Sequence, residues 1–307
     1  MKLKDDLYDV YRRKIVAKGR EINRTLVRQL IENGARLPRK TISVVNTPLL
    51  KDFKKALRDR RYHNVFKPPQ IQKRILKTFL QLKLTEPIIL ELRNMKSHWH
   101  ETYHHVLIMA ALIIKMIHDI KKSNYDPLLA TRLCLTHDIG KTRIPETILN
   151  KKSELTAEEY QIIKTHPLIG FLLMSYYIGW EGRQCCETAF EHHEKLDGSG
   201  YPRGIKRIDR YAQLIAPIDI YDALISQRPY RQISYNGRLA IDILLEDAKN
   251  KKLNIDCVYL LINCIRERKV KSLAEIKVSQ KRRTAAPAHN LYGKIKKKKA
   301  RRLLRKD

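Results

Sequence analysis

No stretch of the 307 residues approaches the roughly 18 consecutive apolar side chains of a membrane-crossing helix. The richest candidate, Val106 to Ile117, is broken by Lys115 and stops at His118-Asp119. The opening Met1-Lys2-Leu3-Lys4-Asp5-Asp6 lacks the apolar core of a secretory signal, so a soluble, cytoplasmic protein is expected. Glycine and proline are sparse, at 11 and 12 residues, while hydrophobic residues make up 43 %. That balance excludes a low-complexity chain and predicts a globular, helix-rich one. The five cysteines include no CxxC pair: Cys134, Cys257 and Cys264 lie in apolar segments, and Cys185-Cys186 are adjacent. A zinc knuckle is therefore disfavoured, and reduced, buried thiols are expected.

Acidic residues are also scarce. Asp and Glu number 32 against 63 Lys and Arg, leaving a formal net charge of +31. Part of the excess falls in residues 271–307, where Lys281-Arg282-Arg283, Lys296 to Lys299 and Arg301-Arg302 crowd together. Such a field attracts polyanions nonspecifically, nucleic acid and anionic lipid included. The plainer reading is a solvated, flexible tail.

Residues 1–92 read as a small mixed α/β unit. Short strands are expected at Leu7 to Tyr11, Lys14 to Ala17 and Thr41 to Val45. A helix over Thr25 to Ile31 would stop at Asn33-Gly34, a C-cap signal. Phe66-Lys67-Pro68-Pro69 marks a boundary, since proline stops the preceding helix, and helices over 71–84 and 88–95 lead onward. Residues 93–270 read as a helical bundle, with Thr156 and Glu159 spaced as a capping box.

The chemistry concentrates in a few short strings. Glu101 and His105 stand four apart on one helix face, so they can address a common metal. His98, His100 and His104 compete for that role, but the apolar run that follows favours His105 as the buried one. His118-Asp119, followed by two lysines, looks exposed. In His137-Asp138-Ile139-Gly140-Lys141 an imidazole and a carboxylate at a helix end can clamp cations, the carboxylate bridging two of them, and Lys141 can reach phosphate oxygens. His166 sits where a helix restarts. His192 and His193 diverge by about 100° on a helix, which suits two ligands of one cluster. They open the string HHEKLDGSGYPRG, whose glycines allow close backbone approach and whose Tyr201-Pro202 presents a phenol. Asp219 lies among apolar neighbours, where a metal would neutralise it.

Together these residues resemble the HD-GYP domain, a subgroup of the HD metal-dependent phosphohydrolases. His137-Asp138 is similar to its HD element, Gly200-Tyr201-Pro202 to its GYP element, and Asp219 through Arg231 to its final motif; the likeness covers roughly 97–235. It implies a mainly α HD-type bundle over 93–270 and hydrolysis of cyclic di-GMP to pGpG or GMP by a metal-bridged hydroxide. Two or three divalent ions, iron or manganese, would be held by His105, His137, Asp138, His166, His192, His193 and Asp219, with Glu101 adding a ligand if the site is trinuclear. Lys141 would contact the scissile phosphate, and Gly200, Tyr201, Arg228 and Arg231 would hold the dinucleotide. GGDEF-type signalling proteins are the partners the resemblance implies. Ile108 and Lys195 stand where arginine is common in the family, and neither departure removes a ligand. The competing readings are a cyclic di-GMP-binding scaffold with little turnover, an HD phosphohydrolase of another nucleotide, and a nucleic-acid-binding protein built around the basic tail.

Overall fold

The computed structural model describes residues 1–37, 40–120, 123–227, 234–266 and the pair 295–296. The chain opens with a hairpin of β1 (Leu7–Tyr8) and β2 (Lys14–Val16), shorter than the sequence pattern suggests. Asp9 closes the hairpin by accepting from the backbone of Tyr11 and Arg13 at 2.9 and 2.8 Å. Arg12 takes the left-handed conformation at φ 63. In α1 (Arg24–Gly34) the cap is Asn23, whose side chain accepts from Leu26 N. Gly34 is not the left-handed terminator that its position suggested. It remains inside the helix because a Cβ there would lie 1.8 Å from the carbonyl oxygen of Tyr176, so close helix packing demands glycine.

A second small sheet pairs β3 (Thr41–Ser43) with β4 (Lys83–Thr85) in antiparallel register, Ile42 opposite Leu84. Between them run α2 (Pro48–Ala56), α3 (His63–Phe66) and α4 (Pro69–Leu80). The helix expected to reach residue 84 therefore stops at Leu80, because the next residues pair with Thr41–Ser43 instead. Val44 and Val45, expected as strand, begin a 3-10 turn.

The remaining helices form the bundle. They are α5 (Glu86–His98), α6 (His100–Asp119), α7 (Pro127–Thr136), α8 (Glu146–Leu149), α9 (Ala157–Ile163), α10 (His166–Ile178), α11 (Arg183–Glu191), α12 (Arg210–Ile225), α13 (Gly237–Lys249) and α14 (Ile255–Ile265). The capping box before α9 forms as its spacing implies, Thr156 and Glu159 each accepting from the other's backbone. Helix α6 is the axis, with α2, α4, α5, α7, α12 and α14 packed around it. Burial on every side explains why Thr102 to Ile117 is so apolar. The cation within that run, Lys115, is buried but bonded to Asp119 and to the Cys264 carbonyl at 2.6 and 2.7 Å.

One hydrophobic cluster runs from Leu3 to Cys264, so residues 1–92 pack into the same core as the bundle. All five cysteines are free and buried. Among the described residues no helix is long and apolar enough to cross a membrane. The basic segment 271–307 lies outside the described residues, except that Ile295–Lys296 pairs in parallel with Leu155–Thr156.

Candidate metal centre

Three histidines from separate elements converge by one local device. His137, His166 and His192 each sit at a helix terminus and place Nδ1 against a carbonyl three residues back: Cys134 at 2.8 Å, Ile163 at 2.7 Å and Ala189 at 3.0 Å. A carbonyl only accepts, so Nδ1 carries the proton and Nε2 presents its lone pair. His105 is held instead by Asp222, whose Oδ2 lies 2.6 Å from Nδ1, while its Nε2 faces Asp219 at 3.1 Å. His193 follows His192 and places Nδ1 4.0 Å from Asp219.

The ligand atoms fall into two groups that share one carboxylate. Asp138, His166, His192 and His193 form the first, and His105, His137 and Asp138 the second; within each, the atoms lie within 4.8 Å of one another and every residue is buried. Asp138 Oδ1 stands 3.3 Å from His166 Nε2 and 3.7 Å from His192 Nε2. The arrangement lacks protons where it needs them. His166 and His192 bring Nε2 to within 3.2 Å, two lone pairs facing each other once both Nδ1 atoms carry hydrogen. His137 Nε2, Asp138 Oδ1 and His193 Nε2 are buried with no hydrogen-bond partner among the described residues. Such groups are costly unless a cation lies between them, so the donor set fits divalent metal.

The protonation states agree. Burial pushes His166 down to about 4 despite Asp138, and burial likewise lowers His192 and His193, the neighbouring imidazoles adding to the shift at His193. Burial alone would raise Asp138, but the Lys141 ammonium and His137 hold it well below the usual carboxylate range. Asp219 is likewise held low against burial, by its hydrogen bond to His105 and the surrounding imidazoles. Neutral imidazoles and ionised carboxylates are the forms that bind metal.

Two glycines bring these elements together. Gly140, which as a sequence signal only breaks a helix, packs the His137-Asp138 turn directly on α10. A Cβ there would lie 2.0 Å from the His166 carbonyl and 2.6 Å from Gly170 N. Gly140→Ala is therefore expected to lower stability by about 1–3 kcal/mol and weaken metal binding, because the turn and α10 must part. Gly170→Ala is the control, since its nearest neighbour is the Ala189 methyl at 3.3 Å. Equal thermal midpoints and metal contents in the two variants would contradict this role for Gly140.

Gly200 approaches Glu194 Cα to 2.4 Å from its would-be Cβ, folding the loop onto the His-His-Glu segment. Glu194 accepts from Arg203 N and Ile205 N, and Glu191 from Asp209 N, which pins the loop's far side. Tyr201 stacks on His193 with ring centroids 4.7 Å apart, and Lys164 holds its ammonium 4.7 Å from the Tyr201 ring. Lys141, buried, donates to Asp138 Oδ2 at 2.6 Å.

Other expected positions fall elsewhere. Glu101 is exposed on the first turn of α6 and stands outside both groups of ligand atoms found among the described residues. His104 binds Asp59 at 2.7 Å, and His98 faces Glu146. His118 meets Thr78, and Asp119, expected to be exposed, is held by Lys115 and Arg74 with a side chain only 3 % exposed. Arg228 and Arg231 lie outside the described residues. Sequence reasoning missed Asp222, for which the one signal was its position one helical turn after Asp219.

A family model described as HD domain matches residues 89–255. A cyclic di-GMP phosphodiesterase of Thermotoga maritima is 34 % identical over 202 residues, 61 % of this chain and 55 % of that protein. One from Pseudomonas aeruginosa is 34 % identical over 166 residues, 52 % of this chain and 38 % of its own. A 3'3'-cGAMP-specific phosphodiesterase of Vibrio cholerae is 43 % identical over 99 residues, 32 % of this chain and 22 % of that relative. The chain thus spans about half the length, or less, of these curated relatives.

Proposed function

The chain belongs to the HD-domain family, with motifs of the HD-GYP type, and from that premise we propose that it is a metal-dependent phosphodiesterase hydrolysing cyclic di-GMP to pGpG. The observation that carries this reading is the set of buried, unpartnered ligand atoms gathered around Asp138, beside the loop that bears Tyr201. His105, His137, Asp138, His166, His192, His193 and Asp219 would hold two divalent ions, with Asp138 shared between them. Imidazole and carboxylate donors favour iron or manganese over magnesium. Bound there, such ions would supply Lewis acidity toward a phosphoryl group and acidify water.

The protein's own residues do the rest. Nδ1 hydrogen bonds to carbonyls and to Asp222 fix which nitrogen each imidazole presents. Lys141 keeps a buried positive charge beside Asp138, where charge on a cleaving phosphodiester would accumulate. Tyr201 lies over His193 and, with Lys164, forms a half-buried rim that suits a nucleotide. Arg228 and Arg231 complete the phosphate contacts in this reading, since a guanidinium fork matches phosphate. Residues 93–270 would be the catalytic unit and residues 1–92 its N-terminal partner, with GGDEF-type proteins as signalling partners.

The test is protein purified without oxygen, loaded with Fe²⁺ or Mn²⁺ and given cyclic di-GMP or 3'3'-cGAMP in parallel, with products resolved by chromatography. Linear pGpG from cyclic di-GMP is expected. Turnover of 3'3'-cGAMP alone would reassign the substrate, and no turnover by metal-replete protein would leave a binding role.

A further inference from the structure

The polar residues that fix His105 do not end at Asp222. That carboxylate is itself almost fully buried and would carry an uncompensated charge if His105 were its only partner. It accepts from Tyr62 Oη at 2.9 Å and from the Arg61 guanidinium at 3.1 Å, and Arg61 also reaches Ser226 Oγ. Arg61 is oriented in turn by Asp59, which accepts from its backbone and its side chain at 2.8 Å. Asp59 closes the circuit by binding His104, the neighbour of His105 on α6. Two adjacent histidines are thus tied to two aspartates, and one arginine spans both. Tyr62 is fully buried, and its ring packs toward Phe66 and Tyr221, so its hydroxyl has little freedom to leave Asp222.

The segment Asp59 to Tyr62 lies outside residues 89–255, where the family match falls, and meets Asp222 across 160 positions of sequence. We propose that this turn is a positioning element of the metal centre: Arg61 and Tyr62 fix Asp222, which fixes the tautomer and direction of His105, so the N-terminal unit governs occupancy of the metal position His105 serves. The logic is that of any imidazole ligand whose second nitrogen is anchored by a carboxylate. The anchor orients the ring and raises its basicity, and loosening the anchor costs roughly 10- to 100-fold in metal affinity. Any partner or signal that displaced residues 59–62 would act on metal affinity, with no contact to a metal ligand.

The proposal rests on the reading of His105 as a ligand, and the experiment separates the two. Metal-free full-length protein is titrated with Mn²⁺ alone, free Mn²⁺ being read by electron paramagnetic resonance, for wild type, Arg61→Met, Tyr62→Phe, Arg61→Lys and His105→Ala. Arg74→Met, which removes a peripheral ion pair to Asp119, controls for stability. Arg61→Met and Tyr62→Phe are expected to weaken one Mn²⁺ equivalent roughly 10- to 100-fold, with partial recovery in Arg61→Lys and no change in Arg74→Met. Near-ultraviolet circular dichroism of the metal-free variants checks that packing is retained; Arg61 is partly exposed, so its variant stays informative if Tyr62→Phe misfolds. Wild-type affinity in a folded Arg61→Met, while His105→Ala loses an equivalent, overturns the proposal and leaves the site reading intact. Full Mn²⁺ binding by His105→Ala overturns both.

Discussion

Asp138→Asn is expected to lower hydrolysis by on the order of 10³-fold or more and to remove metal from both halves of the centre. The substitution preserves shape but deletes the charge shared by the two ligand groups. It also replaces the ionised 2.6 Å partner of the buried Lys141 ammonium by a neutral amide. An amide keeps one acceptor oxygen but brings an N–H₂ that cannot bind a cation, so His166 and His192 again face each other with lone pairs 3.2 Å apart. If the ions supply several kcal/mol of charge stabilisation, losing them costs about a factor of ten for each 1.4 kcal/mol, which sets the estimate. His137→Ala, which leaves Asp138 in place, is expected to lose the metal of its own group first. The measurements are metal equivalents by elemental analysis and turnover of cyclic di-GMP on the same sample. Two retained equivalents with turnover within tenfold of wild type in an Asp138→Asn/His137→Ala double variant would remove the centre from the mechanism.

The sequence reached some of this and not the rest, for reasons that residues make plain. His105 was separable from His104 because helical register ties it to the apolar run after it, and the Thr156-Glu159 box sets the start of α9 by spacing alone. Both are local signals. Glu101 shares His105's face by spacing, yet α6 begins at His100 and its first two residues, His100 and Glu101, are exposed, which periodicity cannot reveal. Asp222 reads as a helix residue until the fold brings Tyr62 and His105 to it from 160 and 117 positions away. Gly34 and Gly140 read as punctuation, but each is glycine because another helix's backbone occupies the space of its Cβ. The helix that stopped at Leu80 lost its last turn to pairing with residues forty positions upstream. Local pattern gave the elements and the ligand types, while the anchoring of those ligands is written in contacts between distant segments.

The largest stability effect is expected at Glu91, a residue with no motif to mark it. Its side chain is fully buried on α5, yet it gathers four elements. Both carboxylate oxygens receive the Arg143 guanidinium, one at 3.0 Å. Tyr177 of α10 donates to Oε1 at 2.6 Å and accepts from Val10 N at 2.8 Å. Arg143, at the end of the turn that carries His137 and Asp138, also donates to the carbonyl of Tyr8 in β1. Glu91 thus ties the N-terminal hairpin, α5, the Asp138 turn and the His166 helix to one point. Replacing it by alanine leaves Arg143, whose side chain is 17 % exposed, and the Tyr177 hydroxyl without their buried acceptor. Such a loss costs about 3–5 kcal/mol, far above the modest worth of an exposed pair. Removing both charges together should recover part of it, because an apolar pair of similar volume has no stranded ion. Urea unfolding of metal-free Glu91→Ala, Glu91→Leu, Arg143→Met and Glu91→Leu/Arg143→Met measures this, the cycle being closed by Glu91→Leu, with the double variant expected to be more stable than either Glu91 single variant. A double variant destabilised by the sum of the singles, or a Glu91→Ala cost below about 1 kcal/mol, would show that the four elements hold together without this ion pair.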